Sequence, residues 1–269
     1  MNKNIASPKK RSYTRLKLGK LYFRIKRNLK LITQKNVAKI KPFDDTEYEY
    51  FAHQTPLLRQ LKDVDMQLQY NKITNLRIAA AKVNGVVLQP GETFSYWRTV
   101  GKPTHKKGYV DGMILEQGKV TVGIGGGLCQ LSNLIYWLTI HTPLTIIERH
   151  RHSFDVFPDS NRTQPFASGA TCFYNYIDLQ IKNDTKLPFK LEIAVTDEYL
   201  VGKWITNGAP NLSYKVYEKE HLIQSQPWGG YTRHNVIHRK VFNENLEQVG
   251  DQFVAENHAI MMYNPLLPG

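Results

Sequence analysis

Gly123-Ile-Gly-Gly-Gly-Leu-Cys-Gln-Leu-Ser-Asn133, running without a break into Leu134-Ile-Tyr-Trp-Leu-Thr-Ile-His141, decides how this chain folds. Val120 and Val122 read as the end of a short strand and the glycines as a tight turn, while Leu131, Leu134, Ile135 and Leu138 recur at helical spacing. Tyr136, Trp137 and Ile140 fill the remaining face, so the helix is apolar nearly all round and belongs in a core. Pro143 ends it. Cys129 then stands at a helix start, where unpaired N–H groups and the macrodipole favour a thiolate. Gly125, Gly126 and Gly127 would let bare N–H groups converge beside the sulfur as an oxyanion nest, with Gln130 next to it. The alternative is a Gly-rich turn that packs an inert, buried cysteine.

The 269 residues suffice for one large domain or two small ones, and 41% hydrophobic with 11% aromatic residues is globular composition. The net charge of +13 suggests a nucleic-acid binder until it is divided along the chain. Residues 1–41 hold 14 Lys and Arg and no acid, which leaves 22 basic against 23 acidic residues in a near-neutral body. Two cysteines do not make a disulfide-built secreted domain. The N-terminus lacks a continuous apolar signal core of about 7–15 residues, and no run reaches the ~20 apolar residues of a membrane-spanning helix. These features lead us to expect a cytoplasmic protein with free thiols.

Residues 1–12 are polar and expected to be disordered. From Tyr13 to about Lys41, Leu16, Leu21, Phe23, Ile25, Leu29 and Ile32 interleave with Arg15, Lys17, Lys20, Arg24, Lys26, Arg27 and Lys30. That pattern suits a helix lying on an anionic membrane, peripheral to its inner face; a helix docked on its own domain is the alternative. Nucleic acid is the weaker partner because no recognition motif follows. A composition change at Pro42 gives three segments: a basic arm (1–41), an α+β domain (42–209) and a β-rich extension (210–269). Ile73, Leu76, Ile78, Ala79, Ala80, Val83 and Val86 fit a helix ended by Asn84-Gly85, and Pro90-Gly91 turns the chain into an extended Glu92–Trp97. Leu144–Ile147 reads as a buried strand. Ile177, Leu179 and Ile181 alternate with Asp178, Gln180 and Lys182 and, with Phe189–Val195, read as a hairpin with one wet face; Tyr199–Ile205 adds a strand. Beyond Pro210 only short strand-like pieces emerge, at 214–217, 235–242 and 259–263. The fold expected is α+β, a central buried helix starting at a Gly-rich turn and packed on a mostly antiparallel sheet.

A cysteine nucleophile needs a base within reach and a group to orient it. His141 lies 12 residues along the same helix, about 18 Å away. His150 and His152 share one face of the returning strand and are the candidate bases, with Asp178 as orienter and Asp155 behind it. Cys129, His150 and His152 are also three zinc-compatible ligands, but no fourth ligand, C-x-x-C or H-E-x-x-H accompanies them, so neither metal nor cofactor is expected. Leu128 occupies the third Gly of G-x-G-x-x-G, which argues against a nucleotide loop.

Asn84-Gly85 with Pro90-Gly-Glu-Thr-Phe-Ser95, Gly125-Gly-Gly-Leu-Cys-Gln-Leu-Ser132, Glu148-Arg149 with His152, and Ile177-Asp-Leu179 with Asn183 resemble the VanW family over roughly residues 70–205. Where many members have Asp-Ala-Thr, this chain has Gly169-Ala-Thr171. The resemblance implies a cell-envelope, glycopeptide-resistance context and adds Glu148 and Arg149 to the ligand-binding candidates. Two functions follow as expectations: a Cys–His hydrolase or transferase acting on an amide or ester of a cell-wall precursor, and a non-catalytic module that binds an envelope ligand or partner. Oligomeric state is not legible in the sequence.

Overall fold

The computed structural model describes residues 12–43, 46–58, 65–116, 118–156, 158 and 163–266. The expectation of disorder for residues 1–11 and the acidic pair Asp44-Asp45 lie outside them.

Local capping chemistry sets the first elements. Ser12 Oγ accepts from Arg15 N at 3.4 Å and opens α1 (Tyr13–Thr33). Val37 and Ala38 are buried, and β1 (Lys39–Ile40) and β2 (Tyr48–Pro56) follow. Asp65 caps α2 (Met66–Val83) by accepting from Gln67 N at 2.8 Å, and the helix stops at Asn84, where Gly85 takes a φ of +80°. The turn through Pro90-Gly91 links β3 (Val86–Leu88) to β4 (Thr93–Ser95). Tyr96 and Trp97, expected in an extended run, begin a helix instead, α3 (Tyr96–Val100), because Ser95 Oγ caps Arg98 N at 3.3 Å.

The hairpin of β5 (Asp111–Glu116) and β6 (Lys119–Ile124) delivers the chain to α4 (Cys129–Thr139), the expected central helix. After it come β7 (Thr145–Glu148), β8 (Phe154–Asp155), β9 (Gln180–Lys182), β10 (Phe189–Val195) and β11 (Tyr199–Thr206). The chain closes with β12 (Leu212–Ser225), β13 (Tyr231–Asn243) and β14 (Gln248–Met261).

The strands form a five-stranded sheet β1-β3-β10-β11-β2, a three-stranded sheet β4-β9-β7, a four-stranded sheet β12-β13-β14-β8 and the β5-β6 pair. Pairing is antiparallel throughout except between β14 and β8. The fold is therefore α+β with mostly antiparallel sheets, as expected. Leu131, Leu134, Ile135 and Leu138 of α4 are buried against the five-stranded sheet. Gly202 of β11 makes room for this packing: a Cβ there would approach Leu138 Cδ1 to 2.9 Å. Trp204 Nε1 donates to Thr139 Oγ1 at 3.1 Å, which satisfies a buried indole and fixes the helix along the sheet.

Three expectations are corrected. Residues 177–195 are not a hairpin, since β9 and β10 belong to different sheets. The crossing is held by Asn183, whose buried Nδ2 donates to Leu88 O and Leu187 O, both at 2.8 Å. The expected wet face is dry at Asp178 and Gln180, which are buried, and holds on β10, where Lys190 and Glu192 are half-buried and Ala194 is exposed. Leu144 is buried as expected, yet β7 lies at a sheet edge and leaves Ile147 46% exposed. Finally, the short pieces beyond Pro210 are parts of three long strands.

Among the described glycines, Gly126 and Gly112 are the pair that bring backbone against backbone. A Cβ at Gly126 would fall onto the Gly112 carbonyl, and one at Gly112 would come within 2.8 Å of Gly126 O. Backbone cannot swing aside as a side chain can. Gly126→Ala is therefore expected to destabilise the protein by about 3 kcal/mol, the upper end of overpacking costs. A denaturant melt of the variant that superimposes on the parent would contradict the close approach.

Candidate functional site

The glycine turn is built by its neighbours. Gly125 and Gly127 adopt φ of +75° and +88°, open to glycine at no steric cost. Asn75, fully buried on α2, donates through Nδ2 to Val110 O at 3.0 Å and Gly126 O at 2.9 Å and accepts from Val110 N at 2.9 Å. The N–H groups of Gly125, Gly126 and Gly127 go to Val110 O, Gly123 O and Met113 O, each at 3.0 Å. The three glycines thus present no unpaired donors of the kind an oxyanion nest uses, because the turn consumes its own N–H groups. Gln130 Nε2 is committed to Thr55 Oγ1 and Pro56 O, both at 2.9 Å, and ties α4 to β2.

Cys129 stands at the helix start, as read, and is half-buried. Its Sγ donates to Cys172 O at 3.8 Å. Burial pushes the thiol up from its ordinary value, and contact with the Cys172 backbone offsets part of the effect. A low-pKa cysteine was the expectation; desolvation outweighs the helix start here. Burial, with Cys129 and Asp178 adding to it, pushes the Cys172 thiol well above the usual range.

The candidate bases lie elsewhere in the hydrogen-bond network. His150 Nε2 donates to Glu148 Oε1 at 3.2 Å, and the imidazole is exposed. His152 is half-buried, and burial together with the Arg151 charge lowers its pKa. Among the described residues neither ring is a hydrogen-bond partner of Cys129. Asp178 orients no histidine. Its Oδ2 accepts from Ser95 Oγ at 2.6 Å and Gln180 Nε2 at 3.3 Å, and its Oδ1 from Trp97 N and Leu179 N at 3.0 Å each. Burial still raises its pKa against those hydrogen bonds. Asp155 accepts from Tyr263 OH at 2.9 Å and lies 3.5 Å from Arg233.

Glu148 gathers what the sequence left scattered. Arg27 of α1 grips it with both guanidinium NH2 groups, one at 2.7 Å to Oε2 and the other to Oε1, and also donates to Tyr176 O at 3.2 Å. Asp178 N donates to Glu148 Oε1 at 3.2 Å. Burial alone would raise this carboxyl; the hydrogen bonds from His150 and Arg27, with the Arg27 charge, hold it down at about 2. Arg149 is a structural pin: Nε donates to Gly169 O at 2.9 Å, the NH1 group to Asn257 Oδ1 at 2.7 Å and the NH2 group to Ala167 O, with the guanidinium 4.9 Å over the Tyr136 ring. Among the described residues no three His, Cys, Asp or Glu side chains group as a metal site.

Sequence reasoning missed Arg27, Ser95 and Asn75. Nothing distinguishes Arg27 among 14 arm cations. Asn75 did carry a signal, a polar residue in register with Leu76, Ala79 and Val83 on the apolar face of α2.

Fold and site define an α+β protein organised by a glycine–cysteine helix start. The family model described as "VanW like protein" matches residues 71–205, half of the chain, and the chain belongs to the VanW family. The vancomycin B-type resistance protein VanW of Enterococcus faecalis (strain ATCC 700802 / V583) is 38% identical over 169 residues, 63% of this chain and 62% of that protein. The uncharacterized protein YoaR of Bacillus subtilis (strain 168) is 29% identical over 121 residues, 45% of this chain and 40% of that protein. The chain thus spans less than two thirds of the length of either relative. No solved structure matches it.

The Arg27–Glu148 pair sets a pH dependence. Since the folded pKa of Glu148 lies below the ordinary 4.5, its stabilisation is complete above about pH 4.5 and is lost as pH falls towards 2. The amount is at most on the order of 3 kcal/mol. Asp178 shifts in the opposite direction, so the comparison is made as a difference between two proteins. The stability gap between the parent and Glu148→Gln, measured by urea unfolding, should be widest near pH 7 and close between about pH 4.5 and 2. A gap that stays constant with pH would contradict the ion pair.

Proposed function

We propose that this chain is a non-catalytic binding or scaffold module of the cell envelope, acting in a glycopeptide-resistance context. The observation that carries the reading is the state of Cys129: its thiol is bonded to a backbone carbonyl and pushed up by burial, and among the described residues no imidazole is its hydrogen-bond partner. A thiol nucleophile needs the reverse, a depressed pKa and an adjacent base. The groups that would assist one are engaged elsewhere, Glu148 with Arg27, Asp178 with Ser95 and Trp97, and the glycine N–H groups with carbonyls. The resistance context is supported by the relative whose printed name assigns it to vancomycin resistance. The candidate ligand is a cell-wall precursor.

The test is alkylation of the native full chain with iodoacetamide at pH 7, read by mass spectrometry beside a cysteine peptide. A raised pKa lowers the thiolate fraction, so Cys129 should label more slowly than the peptide and react fully in denaturant. Labelling at pH 6 that outpaces the peptide would overturn this reading. It would favour a Cys129 hydrolase or transferase working on an amide or ester of such a precursor.

A further inference from the structure

We propose that α1 is an in-plane membrane helix that holds the protein against an anionic lipid surface. A helix docked on a globular body normally turns its apolar stripe inward. This one does the opposite. The side chain it buries is Arg27, on Glu148. Further hydrogen bonds tie it to the body, Lys20 Nζ to Glu116 Oε1 at 2.7 Å, Asn28 to Asn175, and an Arg98 NH group to Leu31 O at 2.8 Å and Gln34 O at 3.1 Å, while Leu16 and Leu31 on the Arg27 side are half-buried.

At 3.6 residues per turn, Leu18, Leu21, Tyr22, Ile25, Leu29 and Ile32 fall within an arc of about 100° on the side opposite Arg27. Each is more than half exposed, from 52% for Ile25 to 79% for Ile32. Arg15 and Lys26 border this stripe on one side, and Lys17 and Arg24 on the other. When such a stripe sinks among acyl chains, its margins lie at the level of the phosphates, where cations are attracted. Crossing the bilayer is a different matter: among the described residues no helix is long and apolar enough for it.

A second copy of the chain is the rival occupant, because Leu18, Tyr22, Ile25, Leu29 and Ile32 step by four and three as a coiled-coil seam does. Charge decides against it. The helix carries seven cations and no acid, so a self-pairing would bring like charges together, whereas an anionic bilayer complements them. The inference stands on the outward stripe and is independent of whether Cys129 reacts.

The test is co-sedimentation of the full chain with phosphatidylglycerol–phosphatidylcholine vesicles and with pure phosphatidylcholine vesicles, at low and high salt. Binding should require the anionic lipid and weaken with salt. Ile25→Asn/Leu29→Asn should reduce partitioning at least about tenfold, and Lys17→Gln/Arg24→Gln/Lys26→Gln about 100-fold, roughly fivefold per cation. Both variants should stay folded, with a cooperative thermal transition, since all five side chains are exposed. Absent or lipid-indifferent binding, or equal binding by Ile25→Asn/Leu29→Asn, would overturn the proposal. So would a parent dimer in light scattering that this variant dissolves while vesicles remain unbound, a result that assigns the stripe to a second copy.

Discussion

The pair between Arg27 and Glu148 is the interaction on which the rest of the structure depends. Taking two charges out of water costs several kcal/mol per ion and is offset only when the remaining donors and lone pairs are satisfied. Here they are. Glu148 takes both arms of the guanidinium, the His150 ring and the Asp178 N–H, while Lys30 stands 3.8 Å away. Those partners come from α1, from the segment after β7 and from the approach to β9, so one carboxylate fixes three otherwise separate pieces of chain. The Asp178 carboxylate is the second knot and joins the approach to β9 to the start of α3 through Ser95 and Trp97.

The Glu148 knot and the Arg149 pin are completed from outside the segment that defines the family, whereas the Asp178 knot is closed within it. The family match covers residues 71–205, yet Glu148 is paired by Arg27 upstream and Arg149 by Asn257 downstream. The flanking elements are therefore part of the central architecture. The family departure at Gly169 has a local cause: a Cβ there would strike Asn133 Oδ1, which accepts from Ala170 N at 2.8 Å. A larger residue at 169 would need Asn133 to let go.

Where burial follows apolar periodicity, the sequence was readable. α4, α2 and the Asn84-Gly85 stop were legible for that reason, and so was the placement of Cys129 at a helix start. Reading failed where polar side chains are buried on hydrogen bonds. Asp178 looks like part of a wet face because its partners Ser95 and Trp97 come from more than 80 positions away, and Gln180 is buried in turn on Asp178. The long strands β13 and β14 were hidden in the same way, since Thr232, Arg233, His234, Asn235 and Asn257 are buried and break the alternation that marks a strand. At Cys129 the helix start is visible in the sequence, and the burial that pushes its thiol up is not.

A packed, unactivated cysteine at the centre of the family motif is the claim on which the functional account turns. Its most direct measurement is the ¹³Cβ chemical shift of labelled Cys129 followed against pH in the native protein. The account predicts a titration midpoint above 9.0, the ordinary value against which burial raises it. A midpoint below about 7, in the range of activated thiols, would contradict it.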